Sequence, residues 1–172
     1  MISIGYTDKY APKYEPFTPK LHDMMLPDVN NELFRNIGIR EEKEYLSKGE
    51  FSSPYFPVVG TIYGPNNRLF ICLTCQRFKR PDAPVVNVWF VIGSGSNVTF
   101  INEKTMKALA GSDKINGYMR IAIQDPHFNN ECWESHSHFK DANVLGMREL
   151  NQLKVTIEGM NWKNKSFRLA RH

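Results

Sequence analysis

From Pro84 to Leu109 the chain reads PVVNVWFVIGSGSNVTFINEKTMKAL, and its apolar and polar positions fall into distinct segments. Val85 to Ile92 is a run of apolar and β-branched residues interrupted only by Asn87, the pattern of a buried strand. Gly93-Ser94-Gly95-Ser96 then forces a tight turn of small residues. Val98 to Ile101 restarts as a short strand. Asn102 offers a helix N-cap before Glu103 to Leu109, and Gly111 offers the stop. A strand that enters a small-residue loop and leaves it again is where a fold presents a site.

The same reading extends along the chain. Residues 1 to about 27 interleave Pro12, Pro16, Pro19 and Pro27 with Tyr6, Tyr10, Tyr14 and Phe17. Proline at this spacing bars a helix and disfavours internal sheet, and the aromatics are unlike a solvated tail, so the segment is expected to run extended along the domain or along a partner. Asp28 is expected to cap a first helix carrying Leu33, Phe34 and Ile37, followed by a second helix from Arg40 to Lys48 that closes at Gly49. The charges Arg40 to Glu44 form its solvated face. From Tyr55 the pattern becomes β: a strand to Tyr63, a turn Gly64-Pro65-Asn66-Asn67, and a returning strand Arg68 to Phe78. Further strands are expected at Ile115 to Gln124, Cys132 to Phe139, Asn143 to Gly146, Leu153 to Glu158 and Ser166 to Ala170, with a helical turn through Leu150. The chain thus divides into an extension, 1–54, and a β domain, 55–172.

At 172 residues there is room for one domain with a core. The longest apolar run is too short to cross a bilayer, and MISIGYTDKYAPKY has neither the basic start nor the apolar core of a secretory signal, so an intracellular location is expected. Three cysteines, Cys72, Cys75 and Cys132, do not make a disulfide framework and suit a reducing compartment. The net charge of +4 is mild and does not imply nucleic acid.

The strand Phe90-Val91-Ile92, the loop Ser94-Gly95-Ser96, and the later run Asn143-Val144-Leu145-Gly146 followed by a short helix together resemble the active-site region of retropepsin-like aspartic proteases, the single-domain, dimer-forming enzymes of retroviruses and retroelements. The likeness spans roughly residues 55 to 170. It implies a mainly β, closed acid-protease barrel with short helices. It also implies a homodimer in which Ser94 bonds across the two-fold axis, Gly95 permits close approach, and Ser166 to Ala170, with Phe167 and Leu169, joins a shared sheet. Val144, Leu145 and Gly146 complete the dimer and cleft set. Only Gly111 and Gly117 are available for a lid, so any flap should be short.

One departure changes the chemistry that the resemblance implies. Where the family carries its catalytic aspartate, this chain has Gly93. Two carboxylates sharing a proton activate water and polarise the scissile carbonyl, and glycine does neither. Asp82 precedes the strand and Glu103 follows on a helix, so neither replaces it. The expectation is an inactive domain that serves as a homodimerisation scaffold or binds an extended peptide or partner protein, with no cofactor and no metal. The alternative is an aspartic endopeptidase whose acid has been substituted at position 93.

Other chemistries fit the pattern less well. Cys72-Leu73-Thr74-Cys75 has metal-site spacing, with His127, His136, His138 and Cys132 as further donors, but residues three apart on a strand face opposite ways, which favours buried structural thiols. His136 and His138 would share a strand face. Ser94 or Ser96 paired with one of them lacks a carboxylate placed to orient the base. Two basic clusters, Arg77-Lys79-Arg80 and Lys163-Lys165-Arg168-Arg171, sit among aromatics, yet acidic residues nearly balance basic ones, so solvated patches are the simpler reading.

Overall fold

The computed structural model describes residues 25–172, so the expectation of an extended segment over residues 1–24 lies outside the described residues. The strands are β1 (Val58–Tyr63), β2 (Arg68–Arg77), β3 (Val86–Gly93), β4 (Thr99–Ile101), β5 (Tyr118–Ile123), β6 (Asn130–Glu134), β7 (Val144–Gly146), β8 (Val155–Asn161) and β9 (Ser166–Arg171). The helices are α1 (Asn31–Arg40), α2 (Glu103–Ala110) and α3 (Met147–Leu153). Neighbouring strands follow the order β3-β7-β4-β6-β5-β2, and β2 pairs again with β3, which closes a six-stranded barrel. The fold is therefore mainly β with a closed barrel and short helices, as the resemblance implies.

Strand β2 makes the closure possible because it is long. One of its edges pairs with β3 from Phe70 to Cys75. The other edge is shared: Arg68 to Phe70 pair with β1 and Cys75 to Arg77 with β5. From β1 the sheet continues through β9 to β8 as a wing outside the barrel.

Both faces of β2 and β3 are buried, which explains their nearly unbroken apolar sequence. Ile71, Leu73, Cys75, Val86, Val88 and Phe90 point into the barrel. Phe70, Cys72, Trp89 and Val91 point outward beneath α1, against Phe34, Ile37 and Tyr45. Phe34 meets Phe70 edge-on with ring centroids 6.3 Å apart. Each such fully buried aromatic contributes on the order of 2–3 kcal/mol by leaving water.

The helix after the small-residue loop forms as its sequence specifies. The Asn102 side chain accepts from Thr105 N–H, and Gly111 takes the left-handed conformation at φ 65° that ends α2. The preface differs. Asn30, not Asp28, caps α1, accepting from Leu33 N–H at 2.9 Å. Asp28 instead accepts from Arg68 Nε at 2.8 Å and Nη2 at 2.6 Å. No helix forms from Arg40 to Lys48. The chain folds back over Gly38, where a Cβ would lie 2.7 Å from Lys43 O, and Lys43 N–H donates to Gly38 O. This return inserts Tyr45 into the core and lets Trp89 Nε1 donate to Lys43 O at 2.8 Å. Residues Arg40 to Glu44 are exposed, as a solvated charge run should be.

Three further elements depart from their expected form. The strand expected at Cys132 to Phe139 ends at Glu134 and gives way to a 3-10 turn at Ser137–Phe139, because Ser137 takes φ 56° and the Ser135 hydroxyl turns to donate to Ala142 O. Between Gly111 and Ile123 no separate lid hairpin forms, since β5 is built into the barrel wall between β2 and β6. Strand β9 lies inside the wing, paired on one side with β1 and on the other with β8.

Buried amide groups tie these layers together. Asn143 Nδ2 donates to Trp89 O at 3.1 Å and Thr105 Oγ1 at 3.0 Å, its Oδ1 accepts from Asn102 N–H at 2.8 Å, and its backbone carbonyl accepts from Val91 N–H. Replacing Asn143 by Ala leaves those partners buried without it. N143A should lower unfolding free energy by about 2–4 kcal/mol, read as a shift of the urea midpoint with an unchanged slope.

Candidate functional site

The parallel register of β3 and β7 sets Ile92 beside Leu145 and Gly93 beside Gly146, so both turns leave the barrel at one end. Ser96 N–H donates to Gly93 O at 3.0 Å, closing the turn, and the Ser96 hydroxyl donates to Val98 O at 2.8 Å. That hydroxyl is thereby committed to holding the loop. Ser94 and Gly95 are exposed, and a Cβ on Gly95 would meet nothing within 4 Å.

The loop and α3 are locked by their main chains. Met147 N–H donates to Ser96 O at 2.9 Å and Arg148 N–H to Asn97 O at 3.1 Å. Loop carbonyls thus satisfy first-turn amides of α3, whose N-cap residue, Gly146, offers no side-chain cap. The approach requires glycine there: a Cβ on Gly146 would sit 2.5 Å from Val98 C and O. Behind this contact Gly146 N–H donates to Thr99 Oγ1 at 2.9 Å, and Thr99 Oγ1 donates to Glu149 Oε2 at 2.5 Å. Glu149 is buried at 1 % exposure. Burial pushes its carboxyl above the ordinary value of 4.5, partly offset by the Thr99 hydrogen bond and its own backbone N–H.

A cleft of about 470 Å³ opens over the loop. Gly93, Ser94, Gly95, Ser96 and Val144 line it, as the sequence suggests, together with Leu26, Arg68, Val91, Ile92, Phe100, His138 and Phe139. Leu145 is wholly buried in the barrel core and Gly146 lies beneath the loop, so both shape the cleft without lining it. Phe167 and Leu169 are not brought to it: they point into the core of their own chain. Sequence reasoning missed Leu26, Arg68, Phe100 and Phe139, and gave His138 a different role. Phe139 lies 4.9 Å from Phe100 and 5.2 Å from His138 between ring centroids. No local pattern marks these residues, because four separate segments supply them.

The chemistry available is limited. Among the described residues no Asp or Glu lines the cleft. His138 shares it with Ser94 and Ser96, but no carboxylate in the lining orients the imidazole, and Ser96 already donates to Val98 O. At Gly93 a Cβ would lie 2.5 Å from Val144 Cγ1, so the space an acid's first carbon needs is filled by valine. The other candidate chemistries scatter. Cys72 faces the layer under α1 while Cys75 and Cys132 face the barrel interior. Burial pushes the Cys72 thiol up to about 12 and the other two well above their ordinary value. Among the described residues no three His, Cys, Asp or Glu side chains converge on a metal-sized site. His136 and His138 sit on the 3-10 turn and its entry rather than one strand face. In the C-terminal basic cluster Arg168 is paired with Glu158 and Arg171 with Asp125. Among the described residues no helix is long and apolar enough to cross a membrane.

No protein-family model matches the chain, and no curated protein matches it. Among solved structures it is similar to the crystal structure of a retropepsin-like aspartic protease from Rickettsia conorii, at 11% identity and a TM-score of 0.43, over 67% of this chain and 91% of that one. The likeness supplies no residue correspondence; the barrel is defined by its own strand pairings.

The buried Glu149 predicts a pH dependence. A carboxyl raised in the folded state is stabilising when protonated, so its contribution is full below 4.5 and is lost as pH rises through the higher folded value. Gln keeps the acceptor for Thr99 and cannot ionise. E149Q should match the wild type in urea unfolding at pH 4 and exceed it at pH 7.5.

Proposed function

We propose that this chain is a retropepsin-like domain without the catalytic acid, which pairs with a second copy and binds an extended peptide or partner segment without cleaving it. The observation that carries the reading is the cleft over Gly93 to Ser96: it has the volume and apolar lining for a peptide and, among the described residues, no carboxylate in that lining. Val144 occupying the space beside Gly93 supports the same view, because the backbone there is packed around a missing side chain. Exposed Ser94 and the open surroundings of Gly95 fit a loop that meets a twin loop. Since β9 is paired on both sides within the chain, the edge left for a partner in this wing is β8.

Sedimentation of the purified chain at low micromolar concentration should give a dimer, and Pro- and aromatic-containing peptides should perturb the amides of residues 93–97 while keeping their mass. A strict monomer or peptide turnover would overturn the respective half of the proposal.

The second reading, an endopeptidase with its acid substituted at position 93, is separated by restoring the acid. G93D alone should be destabilised by about 1–3 kcal/mol through overpacking against Val144. G93D with Val144→Ala removes the obstructing methyl, leaving the next neighbours, Leu145 O and Ser96 Cβ, at 3.8 Å. That double variant should fold and remain inert towards peptides. Pepstatin-sensitive cleavage by it would favour the endopeptidase.

A further inference from the structure

We propose that the occupant of the cleft is the chain's own residues 1–24, which compete there with any other peptide. The inference rests on the reading of the cleft as a peptide-binding site without turnover.

The first support is where the described chain begins. Leu26 lines the cleft, and so does Arg68, whose guanidinium grips Asp28 two residues further on. Burial raises the Asp28 carboxyl, but the hydrogen bond and charge of Arg68 outweigh it and leave the group below its ordinary value, so the pair is charged at neutral pH. Val29 N–H also donates to Leu26 O. The start of the described chain is therefore held at the cleft rim.

Length and chemistry supply the rest. At about 3.3 Å per extended residue, a stretch of six to eight residues is enough to cross a cleft of this size, and 24 residues leave ample slack. The segment offers Tyr6, Tyr10, Tyr14 and Phe17 among Pro12, Pro16 and Pro19. The cleft offers Ile92, Phe100, Phe139 and Val144. Aromatic-lined grooves take proline-rich segments well because proline limits the freedom such segments lose on binding. Charge is balanced on the segment, with Asp8, Glu15 and Asp23 against Lys9, Lys13 and Lys20, which suits a lining that has no carboxylate among the described residues.

The test uses the full chain and a fluorescein-labelled synthetic peptide of residues 1–24, titrated by anisotropy. A tethered competitor acts at an effective concentration of order millimolar. Stripping the tethered aromatics in the variant Y10S/Y14S/F17S should therefore tighten probe binding about tenfold or more relative to the wild type, and F139A added to that variant should abolish the gain. If wild type and variant bind the probe equally, residues 1–24 do not hold the cleft and this inference falls while peptide binding stands. It also falls alone if neither binds the probe although unrelated Pro- and aromatic-rich peptides bind. If no peptide binds either protein, the reading of the cleft falls with it. A dimer that dissociates only in the stripped variant would place the segment in a second copy's cleft and overturn the within-chain form.

Discussion

The carboxamide of Asn143 is the constraint on which the rest depends. It sits with no solvent exposure where four elements meet, and each polar atom is used: β3 through Trp89 O, α2 through Thr105, the β4–α2 junction through Asn102 N–H. A buried amide is costly unless it is satisfied, so these elements are held at the separations that satisfy it. Asn102 extends the network, its Nδ2 donating to Asp141 O and Asn31 Oδ1 while its Oδ1 caps α2. The barrel, the helix after the loop and the helix over the outer face are thereby fixed to one another by hydrogen bonds that an apolar core alone would not direct.

The loop inherits its shape from that framework. Parallel pairing of β3 with β7 carries Gly93 and Gly146 to the same level, and the amides of Met147 and Arg148 find acceptors in Ser96 and Asn97. Thr99 and Glu149 close the contact from below. None of these bonds involves a side chain at position 93. The turn is consequently as well supported with glycine there as an acid-bearing turn would be, and Val144 takes up the adjacent volume.

The wing outside the barrel shows how a terminal element is used once the barrel has closed. Strand β9 lies between β1 and β8 and buries Phe167 and Leu169 against the barrel's own core. At its end Arg171 bonds the buried Asp125 at 3.0 Å and lies over the rings of Phe56 and Phe128. The Asp125 carboxyl, raised by burial, is brought below its ordinary value by His127 and Arg171. The C-terminal strand thus packs against the barrel core and, among the described residues, leaves β8 as the edge.

Local physics decided what the sequence by itself determined. The apolar run of β3, broken only at Asn87, the GSGS turn, and the Asn102-to-Gly111 helix with both caps follow from periodicity and cap chemistry within a dozen residues. So does the opposed placement of Cys72 and Cys75, a consequence of strand alternation. Only the tertiary structure decided the rest, because long-range contacts overrode local preference. Arg40 to Lys48 has a helical pattern, yet the fold-back over Gly38 buries Tyr45 and satisfies Trp89. Asp28 could cap a helix, but Arg68, forty positions away, pairs with it. The cleft is lined from residue 26 to residue 144, so no stretch of sequence holds it; barrel closure assembles it.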